Sequence, residues 1–497
     1  MQFEKPSGEG LDLNVALDAV FRRNVQARRD AVALVDPPDR AAFTDGLARR
    51  LSYAGADVAV GRLAQQLRGL GLPPGTVVAI QLPNVVEAAI ALLAIERAGL
   101  VAAPVPLSWR KADLVRALGP IGAAAILTVA RVGDERPAAV ACAAAVELFS
   151  LSFPCAFGND LPDGVMALDI DTDSAVGVEP PVEAKRDDIP SLLTFDAAPS
   201  GSFAVGRTHA EWVAAGLSTL MAARIAPHAE IVSALPLASL AGIGAAFIPW
   251  LLTGGTLQLV HGFAPRALER ANFAHAHLVA PARGLGALLR DCGREFLSLI
   301  AVHRGLAAPF DLHSHRGAVV DVHAFGEIGA VVRRREERQR REPIPIGRVA
   351  SAGGAAPPVG IETRIDADGV LALRGAMVPH RPFEPGGEAL AIGADGFVRT
   401  GYRCRAENAF GLVVEAEPAG IASVGGLRFG LDDLAARIKE VAKDAVIAYI
   451  PDPVLGGRLV IETDDRAAVQ RQLEAAGLAQ IILDAVVPRT QARRMAG

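Results

Sequence analysis

The sequence predicts an α/β protein in two parts: a large, multi-layer N-terminal domain with mostly parallel strands and a small α+β C-terminal domain. Three observations predict this. The chain has 497 residues, whereas single cores stop growing at roughly 250 to 300. Over most of its length, stretches with helical spacing of apolar residues alternate with short apolar runs closed by glycine or proline, the pattern of strand–helix–strand layers. Between Ala389 and Gly426 the texture changes to short strands and glycine turns.

The elements follow in chain order. In "PNVVEAAIALLAIERAGLVAAPVPL", Asn84 and Glu87 stand at N-cap and N3 spacing before an apolar helix. That helix ends near Gly99 and feeds a buried strand closed by prolines. "AAAILTVA" and "IVSALPL" read as buried strands, and "LVRAL" and "EWVAAGLSTLMAARI" as helices. The apolar stretch Ile243 to Leu252 reads as a helix ended by a "TGGTL" turn. "ADGFVRTG", "AFGLVVEAE" and "ASVGG" supply the short strands, followed by the helix "LDDLAARIKEVAKDA" and the strand "AVIAYI". The division expected is 1–416 and 421–497, with a hinge at 417–420. The charge run Arg333 to Glu342 mixes signs at helical spacing and reads as a solvated helix face.

Composition excludes several classes. Half of the residues are apolar (51%) and the net charge is −5, so a packed core is expected and neither nucleic acid nor an anionic membrane is implied as partner. The four cysteines, Cys142, Cys155, Cys292 and Cys404, lack metal or disulfide spacing, and the first residues lack a signal-peptide layout, which fits a reducing cytoplasm.

The segment Leu51 to Leu107, "LPLASLAGIGAAFIPWLLTGGTLQLV" from Leu235, "VVDVHAFGEIG" from Val319, "GFVRTGYR" from Gly396, "VGGLRFGLDDL" from Val424, "YIPD" from Tyr449 and "VPRT" from Val487 together resemble the adenylate-forming superfamily of acyl-CoA synthetases, peptide-synthetase adenylation domains and luciferases. The resemblance covers nearly the whole chain. It implies a large N-terminal domain, a small mobile C-terminal domain, and activation of a carboxylate by MgATP to an acyl-adenylate that a thiol, often CoA, then attacks.

Set against that chemistry, the motifs lack the groups it needs. The family's hydroxyl- and glycine-rich phosphate loop with its lysine aligns with "TFDAAPSGSFAVGRTH", Thr194 to His209. The lysine falls on Phe203 or, in a register shifted by one, on Ser202. Asp196 would repel a triphosphate, Pro199 removes a backbone donor, and Ser200, Gly201 and Ser202 either cradle one small anion or form a turn. His323, Gly326 and Glu327 occupy the segment that stacks on adenine and holds magnesium. Glu327 would be the metal ligand if ATP binds, or a carboxylate that caps or pairs within the cleft; His323 would stack on the base or sit as a core histidine.

Tyr402 replaces the ribose-binding aspartate, Glu417 the hinge arginine, and Gly420 the pivoting aspartate. Arg494 stands at the C-terminal catalytic lysine. On the acyl side, Ala238 and Ser239 replace an aromatic and a histidine, with Gly242 following. The expectation is a synthetase-like protein with eroded ATP handling that binds an acyl or aryl ligand, a CoA-type thioester or a protein partner, with no certain cofactor. The alternative is an active ATP-dependent carboxylate–CoA ligase using Mg, ATP, Glu327 and Arg494.

Overall fold

The computed structural model describes residues 13–171, 190–262, 268, 275–292, 295–306, 315–337, 342–349, 360–384, 390–452 and 455–489. Arg494 lies outside them. Two predominantly parallel sheets carry the large part of the molecule. The first orders its seven strands Met166–Ala167, Phe153–Phe157, Ala125–Val129, Val77–Ile80, Val101–Pro104, Leu192–Ala198 and Gly201–Arg207. The second has eight strands, with Ser298–Arg304 and Ala318–Phe325 in parallel register and Gly329–Arg334 antiparallel at its edge. A six-stranded antiparallel sheet follows, and then a three-stranded sheet of Val446–Asp452, Gly456–Thr463 and Val486–Pro488.

The main core lies between the two large sheets, where the helices Tyr53–Gly69, Val86–Arg97 and His209–Ala223 bury their apolar sides. Helix Val86–Arg97 is buried along almost its whole length, as its unbroken apolar run requires. A separate cluster around Leu434, Ile438, Ile461, Leu473 and Ile482 forms the core of the C-terminal α+β part. Among the described residues no helix is long and apolar enough to cross a membrane.

Three local expectations are corrected. Asn84 does not cap its helix, which begins at Val86. Its side-chain amide instead donates to the carbonyls of Ser233 and Val260 at 3.0 and 2.9 Å, tying the helix entry to the second sheet. Glu87 pairs with Arg40 at 2.5 Å and also with Arg49. The charge run is not a helix where it is described: Arg333 and Arg334 end the edge strand, and Arg335 turns inward. The apolar stretch from Ile243 is helical but opens into a π-helical turn over Ile243–Phe247 before Ile248–Thr253.

The phosphate-loop segment forms no open loop. Leu192–Ala198 and Gly201–Arg207 pair antiparallel from Leu192↔Arg207 to Ala198↔Gly201, leaving Pro199 and Ser200 as a two-residue turn. Gly201 takes a φ of +144°, which a side chain would resist. Thr208 then caps helix His209–Ala223 through a reciprocal box with Glu211.

That helix meets Ile248–Thr253 at Gly216, where an added Cβ would stand 2.2 Å from Ile248 Cγ2. Gly216→Ala is therefore expected to overpack this contact and lower stability by about 1–3 kcal/mol, read as a lower urea midpoint. An unchanged midpoint would show that the helices separate without cost.

Candidate functional site

The ends of the strands Leu192–Ala198, Ser298–Arg304 and Ala318–Phe325 converge with the short helix Leu240–Gly242 and the C-terminal strand Leu427–Gly430. At the centre is Asp196. Its Oδ2 accepts the Glu327 backbone N–H at 2.8 Å, and its Oδ1 is paired with Arg428. Asp196 and Arg428 are both almost fully enclosed, with side chains 4% and 8% exposed. The pair passes directly over Gly326: a Cβ there would lie 1.9 Å from Asp196 Oδ2 and 2.3 Å from Arg428 Nη1. The residue is glycine for a second reason, a φ of +58°.

Glu327 is as firmly held. Its Oε1 accepts from Arg304 at 2.9 Å and its Oε2 from the Leu240 backbone N–H at 2.5 Å. Arg207 threads beneath and donates to the carbonyls of Glu327, Ile328 (2.9 Å) and Met377 (3.1 Å). Burial lifts the Glu327 carboxyl above its ordinary range, Arg304 opposes that lift, and nearby Asp196 adds to it. Burial also lowers the Arg207 guanidinium. For Arg428, burial works against the charge, but Asp196, Tyr402 and Glu417 outweigh it and hold the guanidinium above its usual range.

Tyr402 lies under Arg428, whose guanidinium carbon is 5.5 Å from the ring centroid, and meets Phe325 edge-on at 5.3 Å. Burial pushes its phenol up to about 12. Its hydroxyl, Arg428 Nε and Glu417 Oε2 are buried without a hydrogen-bond partner among the described residues. Glu417 packs against Gly305, and burial raises its carboxyl. Beside this group His323 and His303, partners in adjacent parallel strands, stack at 4.6 Å. Asp321 joins them: His303 Nε2 is 2.7 Å from its Oδ1, and Arg335 donates to both of its oxygens at 2.6 and 2.8 Å. Burial alone would raise the Asp321 carboxyl, but the hydrogen bonds from Arg335 and His303 prevail and hold it well below the carboxylate range.

A model of the family described as AMP-binding enzyme matches residues 21–192. Amide bond synthetase from Marinactinospora thermotolerans shares the fold over 94% of this chain and 95% of its own, with a TM-score of 0.69 at 16% identity. An artificially fused adenylation–PCP di-domain from Klebsiella oxytoca does so over 93% and 92%, with a TM-score of 0.68 at 16% identity. Residues 21–192 thus match the AMP-binding enzyme family, and nearly the whole chain shares the fold of these synthetases. A 126-residue stretch is 36% identical to the salicyl-AMP ligase / salicyl-S-ArCP synthetase of Mycobacterium tuberculosis, covering 25% of this chain and 21% of that relative. The match thus spans about a fifth of the relative's length.

Within this fold the chain brings together Asp196, Gly326, Glu327 and Tyr402, with Glu417 at the margin. Phe203 lies opposite Asp196 on the hairpin, and Ser202 opposite Ala197. Gly420, with a φ of +75°, sits against Pro199 of the hairpin turn. Ser239 is used structurally: its Oγ accepts the Gly242 N–H at 3.2 Å and starts the short helix, leaving Ala238 partly exposed beside it. Gly242 has no room for a side chain, since a Cβ would be 2.0 Å from the Pro236 carbonyl.

The expectation that the motifs lack the groups the chemistry needs is corrected in one respect: cations do stand at the cleft. Arg207, Arg304 and Arg428 all reach it; Arg207 and Arg428 lie inside quoted family-like stretches but not at the lysine position, and sequence reasoning missed all three. The "GGLRFG" segment was visible as family-like, but nothing in it points 232 residues back to Asp196.

The Glu327 shift gives a pH test. A carboxyl whose folded pKa is raised stabilises the fold fully below its ordinary value, near 4.3, and that contribution is lost as pH rises through the higher folded value. Urea midpoints of Glu327→Gln are expected to fall less than those of the parent between pH 4 and 7. Parallel curves would contradict the burial assigned to this carboxyl.

Proposed function

We propose that this chain keeps the adenylate-forming fold but has filled its nucleotide cleft with its own side chains, and that it carries out little or no adenylation. The observation that carries this reading is the Asp196–Arg428 pair over Gly326. A carboxylate and its cation lie where the resemblance puts the phosphate loop and its neighbouring hydroxyl. A nucleotide tail would have to displace that carboxylate and leave it buried, and breaking a buried pair costs about 3–5 kcal/mol.

The other ligand positions are used in the same way. One face of the His323 imidazole is covered by His303. Tyr402 is 1% exposed and lies beneath Arg428, so it offers no acceptor to a ribose. Magnesium does not fit Glu327 as it stands, because one oxygen is held by Arg304 and the other by the Leu240 amide. A divalent cation needs such oxygens free and several more with them. No step through MgATP is therefore derived for this cleft.

The role that remains is binding. The salicyl-AMP ligase match supports an aryl or acyl ligand, and the adenylation–PCP structure supports a carrier-type protein partner. We place the two units at 1–416 and 421–497, with Glu417 to Gly420 joining them, in keeping with the separate core of the C-terminal part.

The rival reading, an active carboxylate–CoA ligase, is favoured by one observation: three arginines, Arg207, Arg304 and Arg428, stand at the cleft and carry charge enough for a triphosphate. Under our reading, calorimetry detects no MgATP binding at millimolar nucleotide, and carboxylate-dependent pyrophosphate exchange stays at background. Tight MgATP binding, or an exchange activity abolished by Glu327→Ala, would establish the rival.

A further inference from the structure

We propose that Asp196 acts as an internal anion: it occupies an oxyanion site built by Arg428 and the Glu327 amide, and by occupying it keeps the C-terminal unit docked. The inference rests on the preceding reading and deepens it by naming the ligand chemistry that the filled cleft would take, a phosphate or carboxylate group.

Four features support it. Asp196 is bound as a ligand oxyanion would be, Oδ1 on the Arg428 guanidinium and the Ala197 N–H and Oδ2 on the Glu327 N–H. The guanidinium comes from the C-terminal strand Leu427–Gly430, so the contact joins the two units. Arg428 Nε and the Tyr402 hydroxyl beside it are buried donors without a hydrogen-bond partner among the described residues, so the polar lining has more hydrogen-bonding capacity than one carboxylate fills.

The docking around this contact is also built for a single orientation. Arg437 of the C-terminal helix Leu431–Val441 pairs with Asp113 at 2.9 Å, while Arg116 of helix Lys111–Leu118 pairs in the opposite sense with Asp433. Asp433 N–H donates to the Pro199 carbonyl at 3.1 Å, and Gly430 has no room for a side chain against the Ala198 and Pro199 carbonyls. The hairpin turn, Asp196 and the small unit therefore move together or not at all. An incoming oxyanion and Asp196 compete for the same guanidinium, the one that the C-terminal unit contributes.

The experiment compares the full-length parent, Asp196→Asn, and Asp196→Asn combined with Arg428→Met, titrated calorimetrically with pyrophosphate and separately with benzoate. Asp196→Asn is expected to bind at least one of them tenfold or more tighter than the parent, with affinity falling as salt rises. The probe that gains identifies whether phosphate or carboxylate is preferred. Adding Arg428→Met is expected to erase the gain, and amides of Leu431–Val441 should exchange faster in Asp196→Asn than in the parent. If the single variant is too unstable for titration, a pyrophosphate-dependent rise in its Tm that the double variant lacks serves instead. No gain in Asp196→Asn, or a gain that survives Arg428→Met, overturns the proposal. Tight MgATP binding by the parent would instead overturn the preceding reading, whatever the variants do.

Discussion

The contact between Asp196 and Arg428 organises this molecule's cleft. Two buried charges are costly to remove from water, and they persist only where their geometry and remaining hydrogen bonds compensate. Here the compensation comes from the Glu327 N–H on the second carboxylate oxygen and from the ring of Tyr402 under the guanidinium. Gly326 follows as a necessity, because any side chain would occupy the path of the pair. Gly430 follows similarly, since a Cβ there would run into the Ala198 and Pro199 carbonyls of the hairpin turn, while Gly420 is required by its φ of +75°. Residues that look like separate losses along the sequence are thus parts of one compensated arrangement.

A second polar group, formed by Arg335, Asp321, His303 and His323, shows the same economy. It offers two imidazoles and a carboxylate close together, yet Arg335 already donates to both Asp321 oxygens. The group reads as a satisfied network that fixes the end of two adjacent strands. In both networks an arginine neutralises a buried carboxylate, Arg335 just past the edge strand on Asp321 and Arg428 from the distant C-terminal part on Asp196.

The fold was legible in the sequence because its signals are local. Apolar runs such as Ala125–Val129 and Val101–Pro104 are bounded by breakers, whereas the change of texture after Ala389 falls inside an antiparallel sheet that already begins at Ile344. Local signals also misled. Asn84 and Glu87 have the residue types of a capping box, but the amide of Asn84 is worth more to two sheet carbonyls than to its own helix. Arg333 to Arg335 have a helix-compatible charge pattern, but the strand pairing of Arg334 with Val320 and the ion pair of Arg335 with Asp321 prevail. The site was half legible: Asp196, Gly326, Glu327 and Tyr402 were singled out, while their partners Arg207, Arg304 and Arg428 were not. A carboxylate's partner is set by packing across the fold, and no spacing along the chain encodes it.

The central claim is that Asp196 and Arg428 are energetically one unit across the two parts of the chain. A double-mutant cycle on Asp196→Ala, Arg428→Ala and the pair, measured by urea unfolding, tests this most directly. The account requires a coupling of about 1.5 kcal/mol or more, as measured for close, desolvated charge pairs elsewhere. Additive effects, with a coupling below about 0.5 kcal/mol, would mean that the two residues merely lie near each other and that the cleft is not held shut by them.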